Sequence, residues 1–175
     1  MYIEKIWEKV RENKWDQAMS FVYSSQIRGC TEKEVAKLED QIGLKLPKAY
    51  KEFMIWAGNG LGTFEVGSEF YYDQDLVDLQ RMANDLLLEN NFPQKLPKDS
   101  FVFWGHQGYM FCFFLTSEGD DPPVHYYRES FEKDFAWNYH RHFTDFLLVE
   151  MRDQAHHAQN AQEIEARLAR DWQNA

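Results

Sequence analysis

The sequence predicts an α+β fold, with helices packed around a small, twisted, mainly antiparallel sheet. Apolar residues recur at helical spacing in four regions, near 3–22, 31–57, 75–90 and 143–151. Between the last two lie short β-prone runs at 101–104, 109–115 and 124–128, rich in Phe, Tyr and Val. Their connections are short and carry Gly or Pro, which favours an antiparallel sheet over a doubly wound one. At 175 residues, 17% of them aromatic, the chain can build one core without disulfide or metal support.

The chain begins with Ile3, Ile6, Trp7 and Val10 on one helical face, and Trp15, Ala18, Met19 and Val22 continue one phase on. Residues 1–30 therefore read as a helical extension, a single amphipathic helix or a bent pair. Residues 31–152 form the main domain. Thr31 with Glu34 is a capping box, Val35, Leu38 and Ile42 make the apolar stripe of the following helix, and Gly43 stops it. A second helix starts at Pro47, carries Tyr50, Phe53, Met54 and Ala57 inward, and ends at Gly58-Asn59-Gly60 through residues that tolerate positive φ. Residues 63–66 and 70–72 are expected to form a hairpin about Gly67-Ser68. Residues 75–90 return to helical spacing, with Leu76, Leu79, Ala83, Leu86 and Leu87 inward. The strongest strand pair, 101–104 and 109–115, turns at Gly105-His106-Gln107-Gly108. The last core helix begins with Phe143, Phe146, Leu147 and Glu150. Residues 153–175 are polar and alanine-rich, a further helix with Ile164, Leu168 and Trp172 four apart, part of the domain or appended to it. Its stripe is narrow, so it folds back on the body, pairs with another chain, or frays.

A family resemblance enters at the central corner. Leu38-Glu39, Gly43-Leu44, Leu46-Pro47, Tyr50, Phe53 and Asn59-Gly60 resemble the opening motif of the SUKH superfamily, also called the Smi/Knr family. Ser100-Phe101-Val102-Phe103-Trp104-Gly105, Gly108 and Phe111-Cys112-Phe113 are similar to its central hairpin. Pro123-Val124-His125-Tyr126-Tyr127 resembles its next strand, and residues 143–148 its closing helix. The turn His106-Gln107-Gly108-Tyr109 departs from the small, acidic turn expected there. The resemblance covers roughly 31–151. It implies a SUKH-like fold and a binding module, not an enzyme. Many bacterial members of that family look like immunity proteins of polymorphic toxin systems, encoded beside secreted toxins and neutralising them by direct binding.

Read from the residues alone, the chemistry is sparse. Six histidines and two cysteines invite a metal, but no HExxH occurs, His140 and His142 stand two apart, and His156 and His157 adjoin in a polar segment. His106 and His125 lack a third ligand, and Cys30 and Cys112 read as packing residues. No metal or other cofactor is expected. There is no phosphate loop, and the glycines around Asn59 follow a helix instead of opening one. No nucleophile elbow or patterned Cys-His set appears. Loop carboxylates such as Asp120 and Asp121 would serve a hydrolase only at a fixed separation across a cleft.

What remains is charge. The net charge is −10, and residues 53–135 hold fourteen carboxylates against five Lys and Arg, a net of −9. Such a field repels phosphate backbones and attracts basic proteins, so direct nucleic-acid binding is disfavoured and no nucleic-acid partner is expected. The same acidity also serves solubility. Glu65, Glu69, Asp73, Asp75 and Asp78, with Glu118, Asp120 and Asp121, are the candidate partner-binding residues, provided both sets lie at one edge. Tyr71, Tyr72 and Trp104 are candidate anchors, although alternation in strands favours them as core. No apolar run reaches the roughly 20 residues of a membrane helix and no signal segment is seen, so a cytoplasmic protein without a membrane partner is expected. The leading expectation is an immunity protein for a basic toxin domain of nuclease or deaminase type. The second is an intracellular regulatory or scaffolding member of the same family.

Overall fold

A computed structural model describes residues 1–15, 27–62, 64–65, 67–72, 76–130 and 133–173. The elements in order are α1 (Tyr2–Glu12), β1 (Ile27–Arg28), α2 (Glu32–Ile42), α3 (Lys48–Ala57), β2 (Gly60–Leu61), β3 (Ser68–Glu69), α4 (Leu76–Glu89), β4 (Ser100–His106), β5 (Met110–Leu115), β6 (Val124–Arg128), β7 (Ala136–His140) and α5 (Phe143–Gln173). The architecture is the expected α+β one. A five-stranded antiparallel sheet runs in the order β3-β4-β5-β6-β7, and β1 pairs separately with β2.

The α2–α3 corner forms as its sequence dictates. Thr31 Oγ1 accepts from the Glu34 amide at 3.2 Å and the Glu34 carboxylate accepts from the Thr31 amide at 2.7 Å, closing the capping box. Gly43 ends α2 in the left-handed conformation, φ 69°. Glu39, buried in this corner, accepts from the Leu46 amide at 2.8 Å and from Lys45 Nζ at 3.0 Å. Burial pushes its carboxyl upward, but the Lys45 and Leu46 hydrogen bonds and the Lys51 charge together hold it below the ordinary glutamate range. α3 starts at Lys48, with Pro47 as its N-cap. Gly58 does not use positive φ as expected; a Cβ there would meet the Met54 carbonyl at 2.6 Å and Cys30 Sγ at 2.7 Å, so close approach is what requires glycine.

The helix stripes and the strand register place an aromatic core between α3, α5 and one face of the sheet. Tyr50 is fully buried, its ring 5.2–6.0 Å from those of Phe101, Phe103, Phe114 and Phe143. α1 lies against α3 and α5. The opposite face carries Val102, Gly105, Phe111, Phe113 and Tyr127; α4 covers β4 there, and Phe92 and Phe135 pack on Tyr127.

The register of β4 explains how these faces divide. Val102 pairs with Phe113 and Trp104 with Cys112, so Phe103 is an extra residue, a bulge. Phe103 and Trp104 therefore both face α5, and Gly105 is turned toward α4. The three-residue connection to β5 places Gln107 at φ 50° and Gly108 at φ 73°, and the Tyr109 amide donates to the His106 carbonyl at 3.3 Å, closing a turn with two left-handed central residues.

Three expectations are corrected. The hairpin over 63–72 does not form as read: β3 is Ser68–Glu69, paired with the end of β4, while Gly60–Leu61 pairs back to β1. Residues 63 and 66 lie outside the described residues. β7 is a strand the sequence reading did not name. The closing helix and the alanine-rich segment are one 31-residue helix, α5. Of the second N-terminal stripe, Ala18, Met19 and Val22 lie outside the described residues. Cys30 and Cys112 are both buried.

Candidate functional site

Two grooves flank the β4–β5 turn. The first lies between α4 and the corner of the sheet. β4 presents Gly105 to α4 along the groove's wall, where a Cβ would press on Leu79 Cδ2 at 3.0 Å and Glu69 Oε2 at 3.3 Å. Its floor is apolar, built from Leu79, Ala83 and Leu86 of α4 and Phe111 of β5, and its rim carries Glu69, Asp85 and Glu89. The cavity measures about 180 Å³. Met82 stands at the lip, 40% exposed.

The second groove, on the other face, is about 490 Å³ and is lined mostly by polar residues. α5 contributes Glu150, Asp153, Gln154 and His157, the turn before β3 contributes Glu65, and the β4–β5 hairpin contributes Trp104, His106 and Tyr109. Glu65 accepts from Trp104 Nε1 at 2.6 Å. His106 Nδ1 lies 2.9 Å from Ser68 Oγ, and its ring stacks on Trp104 at 5.8 Å and 7°. Glu150 faces Glu65 and is hydrogen-bonded to it. Burial, the Glu65 charge and that bond, with Asp153 adding and Arg152 opposing, push the Glu150 carboxyl from the ordinary 4.5 up to about 8. The pair thus holds a proton at neutral pH. Beneath it Cys112 is buried, its thiol pushed well up by burial and by the charges of Glu150 and Glu65. That makes it an inert packing thiol and not a nucleophile.

The candidate carboxylates do not form one cluster. Glu65 sits in the α5 groove and Glu69 in the α4 groove, on opposite faces of the sheet but at the same end. Asp78 is exposed on the first turn of α4 and pairs with Arg81 at 3.3 Å. Asp73 and Asp75 lie outside the described residues. Glu118, Asp120 and Asp121 follow β5 beyond the Ser100–Leu115 pair, whereas Glu65 and Glu69 adjoin the His106–Met110 end. Seven residues of β4 separate the two ends, roughly 20 Å at a strand's rise. The condition that both sets share one edge is not met, and the physical reason is the hairpin that joins them: it carries the chain from one end to the other.

At the far end the carboxylates of Glu118 and Asp121 have local partners. Glu118 meets Nε2 of the buried His125 at 2.9 Å, while the Asn138 amide donates to His125 Nδ1 at 3.0 Å, which fixes the tautomer protonated on Nε2. Asp121 accepts from the Thr144 amide at 3.1 Å and from Thr144 Oγ1 at 2.7 Å, capping the start of α5. Asp120 is exposed, its carbonyl accepting from the Ala49 amide. His106 ends β4 and His125 pairs with Phe113, so they stand at different ends of the hairpin. Of the anchor candidates, Tyr71 is core, its hydroxyl bonded to the Phe64 carbonyl, while Tyr72 and Trp104 are half-buried. Glu150 carried a signal in the sequence, a carboxylate on the inward stripe Phe143, Phe146, Leu147, Glu150. The α4 groove carried none, because it depends on the bulge.

The arrangement is that of a helix-flanked antiparallel sheet with two acid-rimmed grooves at one end. Among the described residues no group of three His, Cys, Asp or Glu is placed to hold a metal ion, and no helix is long and apolar enough to cross a membrane. This fold class is the one expected of SUKH proteins, and the chain belongs to the SMI1/KNR4 family (SUKH-1), whose family model matches residues 29–148. A comparison with curated individual proteins gives no match.

Proposed function

We propose that the protein is a non-catalytic binding module of immunity type, acting in the cytoplasm, which occludes a basic toxin domain of nuclease or deaminase class. The observation that carries the reading is the concentration of charge, a net of −9 over residues 53–135, in a chain of this family. Domains that act on nucleic acid are basic at their clefts because they approach phosphates. An acidic module meets such a cleft with complementary potential and gains association rate and partner choice. A hydrolase built on Asp120 and Asp121 is disfavoured, since both Asp121 oxygens are engaged by Thr144.

Co-expression with the toxin domain of a secreted protein encoded by an adjacent reading frame tests this. Restored growth and an isolable complex, with an association rate that falls steeply from low to high salt, are the expected results. Growth arrest that persists despite equal expression would sink the immunity role. A regulatory or scaffolding role within the same family is the second reading, favoured if the gene has no such neighbour.

A further inference from the structure

Resting on the reading of the protein as a module for basic partners, we infer that the α4 groove is the docking site for an apolar side chain flanked by Lys or Arg on a protein partner. The groove is a built feature and not loose packing. Gly105 lines it without a side chain, a Cβ there pressing on Leu79 Cδ2 at 3.0 Å and Glu69 Oε2 at 3.3 Å, Ala83 contributes only a methyl group, and the space is about 180 Å³. A cavity of roughly 150 Å³ lined by apolar side chains takes up a benzene-sized guest, so this one accepts a single Leu, Met or Phe. Met82 at its lip is 40% exposed, an adaptable side chain of the type used at binding surfaces.

The rim says what flanks that anchor. Glu69, Asp85 and Glu89 surround the floor, and no Lys or Arg lines either this groove or the one across the turn. The cation nearest in sequence, Arg81, is engaged by Asp78 at 3.3 Å and Asp85 at 3.6 Å. Glu69 and Glu89 form no ion pair among the described residues, which leaves two carboxylates for an incoming cation. A second copy of this chain would bring its own net charge of −10 to the rim, so like charge opposes self-association there. An apolar anchor inside a ring of cation-accepting carboxylates matches the anatomy of protein interfaces, a desolvated centre with a polar border.

The test uses the full chain, ¹⁵N-labelled, titrated at low salt with three synthetic nonapeptides. One carries a central Leu flanked by Lys and Arg, one replaces that Leu with Gly, and one flanks the Leu with Glu. The first is expected to shift amide signals of Met82, Gly105 and Phe111 saturably, the second to bind about tenfold more weakly, and the third to leave them unmoved. Met82→Asp and Glu89→Lys should abolish the shifts, whereas Leu88→Asp, on the same helix but outside the groove and 71% exposed, should leave them intact. The inference fails if the Gly peptide binds as well as the Leu peptide, if Leu88→Asp is as damaging as Met82→Asp, or if no peptide saturates. It also fails if the groove signals depend on protein concentration alone, which would mean a second copy. Saturable shifts near Glu118 and Asp120 instead would remove this docking site while leaving the basic-partner reading in place. Failure of neutralisation on co-expression would strike the immunity role and not the groove.

Discussion

Replacing Glu150 by Gln tests the proton held between Glu65 and Glu150. The amide keeps a donor toward Glu65 and carries no charge, so it imitates the protonated acid. In the folded chain Glu150 binds its proton up to about pH 8, whereas an unfolded glutamate releases it near 4.5. Between those values the folded state holds a proton that the unfolded state has lost, so stability falls as pH rises through the window and levels off above it. Each pH unit of the gap corresponds to about 1.4 kcal/mol, which sets a ceiling of about 5 kcal/mol at pH 8.5. Relaxation of α5 away from the Glu65 turn reduces this. We expect Glu150→Gln to gain about 2–5 kcal/mol at pH 8.5 and to lie within about 1 kcal/mol of the parent at pH 5. In a chain of this size that moves Tm upward by roughly 5–15 °C at the alkaline end. Calorimetry of both proteins from pH 5 to 9 measures it. Parallel Tm profiles over that range would refute the shared proton and the account of the groove built on it.

Four further substitutions follow from the geometry. Glu39→Ala should cost about 2–3 kcal/mol, because the buried Leu46 amide loses its acceptor; urea unfolding measures it. In the parent that contribution is present above the ordinary glutamate range and fades as pH falls through the depressed value. Asp121→Ala removes both bonds to Thr144 and should cost about 1–2 kcal/mol, with faster amide exchange confined to the first turn of α5. His125→Phe keeps ring packing against Phe113 and Trp137 but orphans the Asn138 amide, for a loss of about 1–3 kcal/mol in thermal melts. Gly29→Ala would set a Cβ on the Ile55 carbonyl and should be among the most destabilising single changes, seen as loss of soluble folded protein.

The parts of the fold that were legible in the sequence are those where local signals agree. The capping box, the inward stripe of Tyr50, Phe53 and Met54, and the glycine stop at Gly43 all point to the α2–α3 corner that forms. Leu76–Glu89 matched its stripe for the same reason. β7 was hidden because Ala136-Trp137-Asn138-Tyr139-His140 has no β-branched residue, is largely exposed at the sheet edge, and carries Asn138 at φ 53°. β3 was misplaced because two residues pairing with Gly105 and His106 leave no period to read. The closing helix was divided in two where hydropathy changes near Met151, yet no Gly or Pro interrupts residues 143–173 and the backbone continues. For the candidate site, the acidity of the region was plain and its distribution was not. Which carboxylates share an end depends on hairpin pairing, and which share a face depends on the register of β4.

That register has a consequence beyond this chain. With strict alternation from Phe101 onward, the indole of Trp104 would swing to the α4 side and plug the hollow, and Gly105 would lie over Glu150. One surplus amino acid at Phe103 reverses this, leaving a vacancy under α4 and an aromatic lid over the acid pair. A homologue that straightens this strand and keeps the Phe-Trp-Gly order should therefore present a sealed corner. Its choice of binding companion should then differ even where every rim carboxylate is kept.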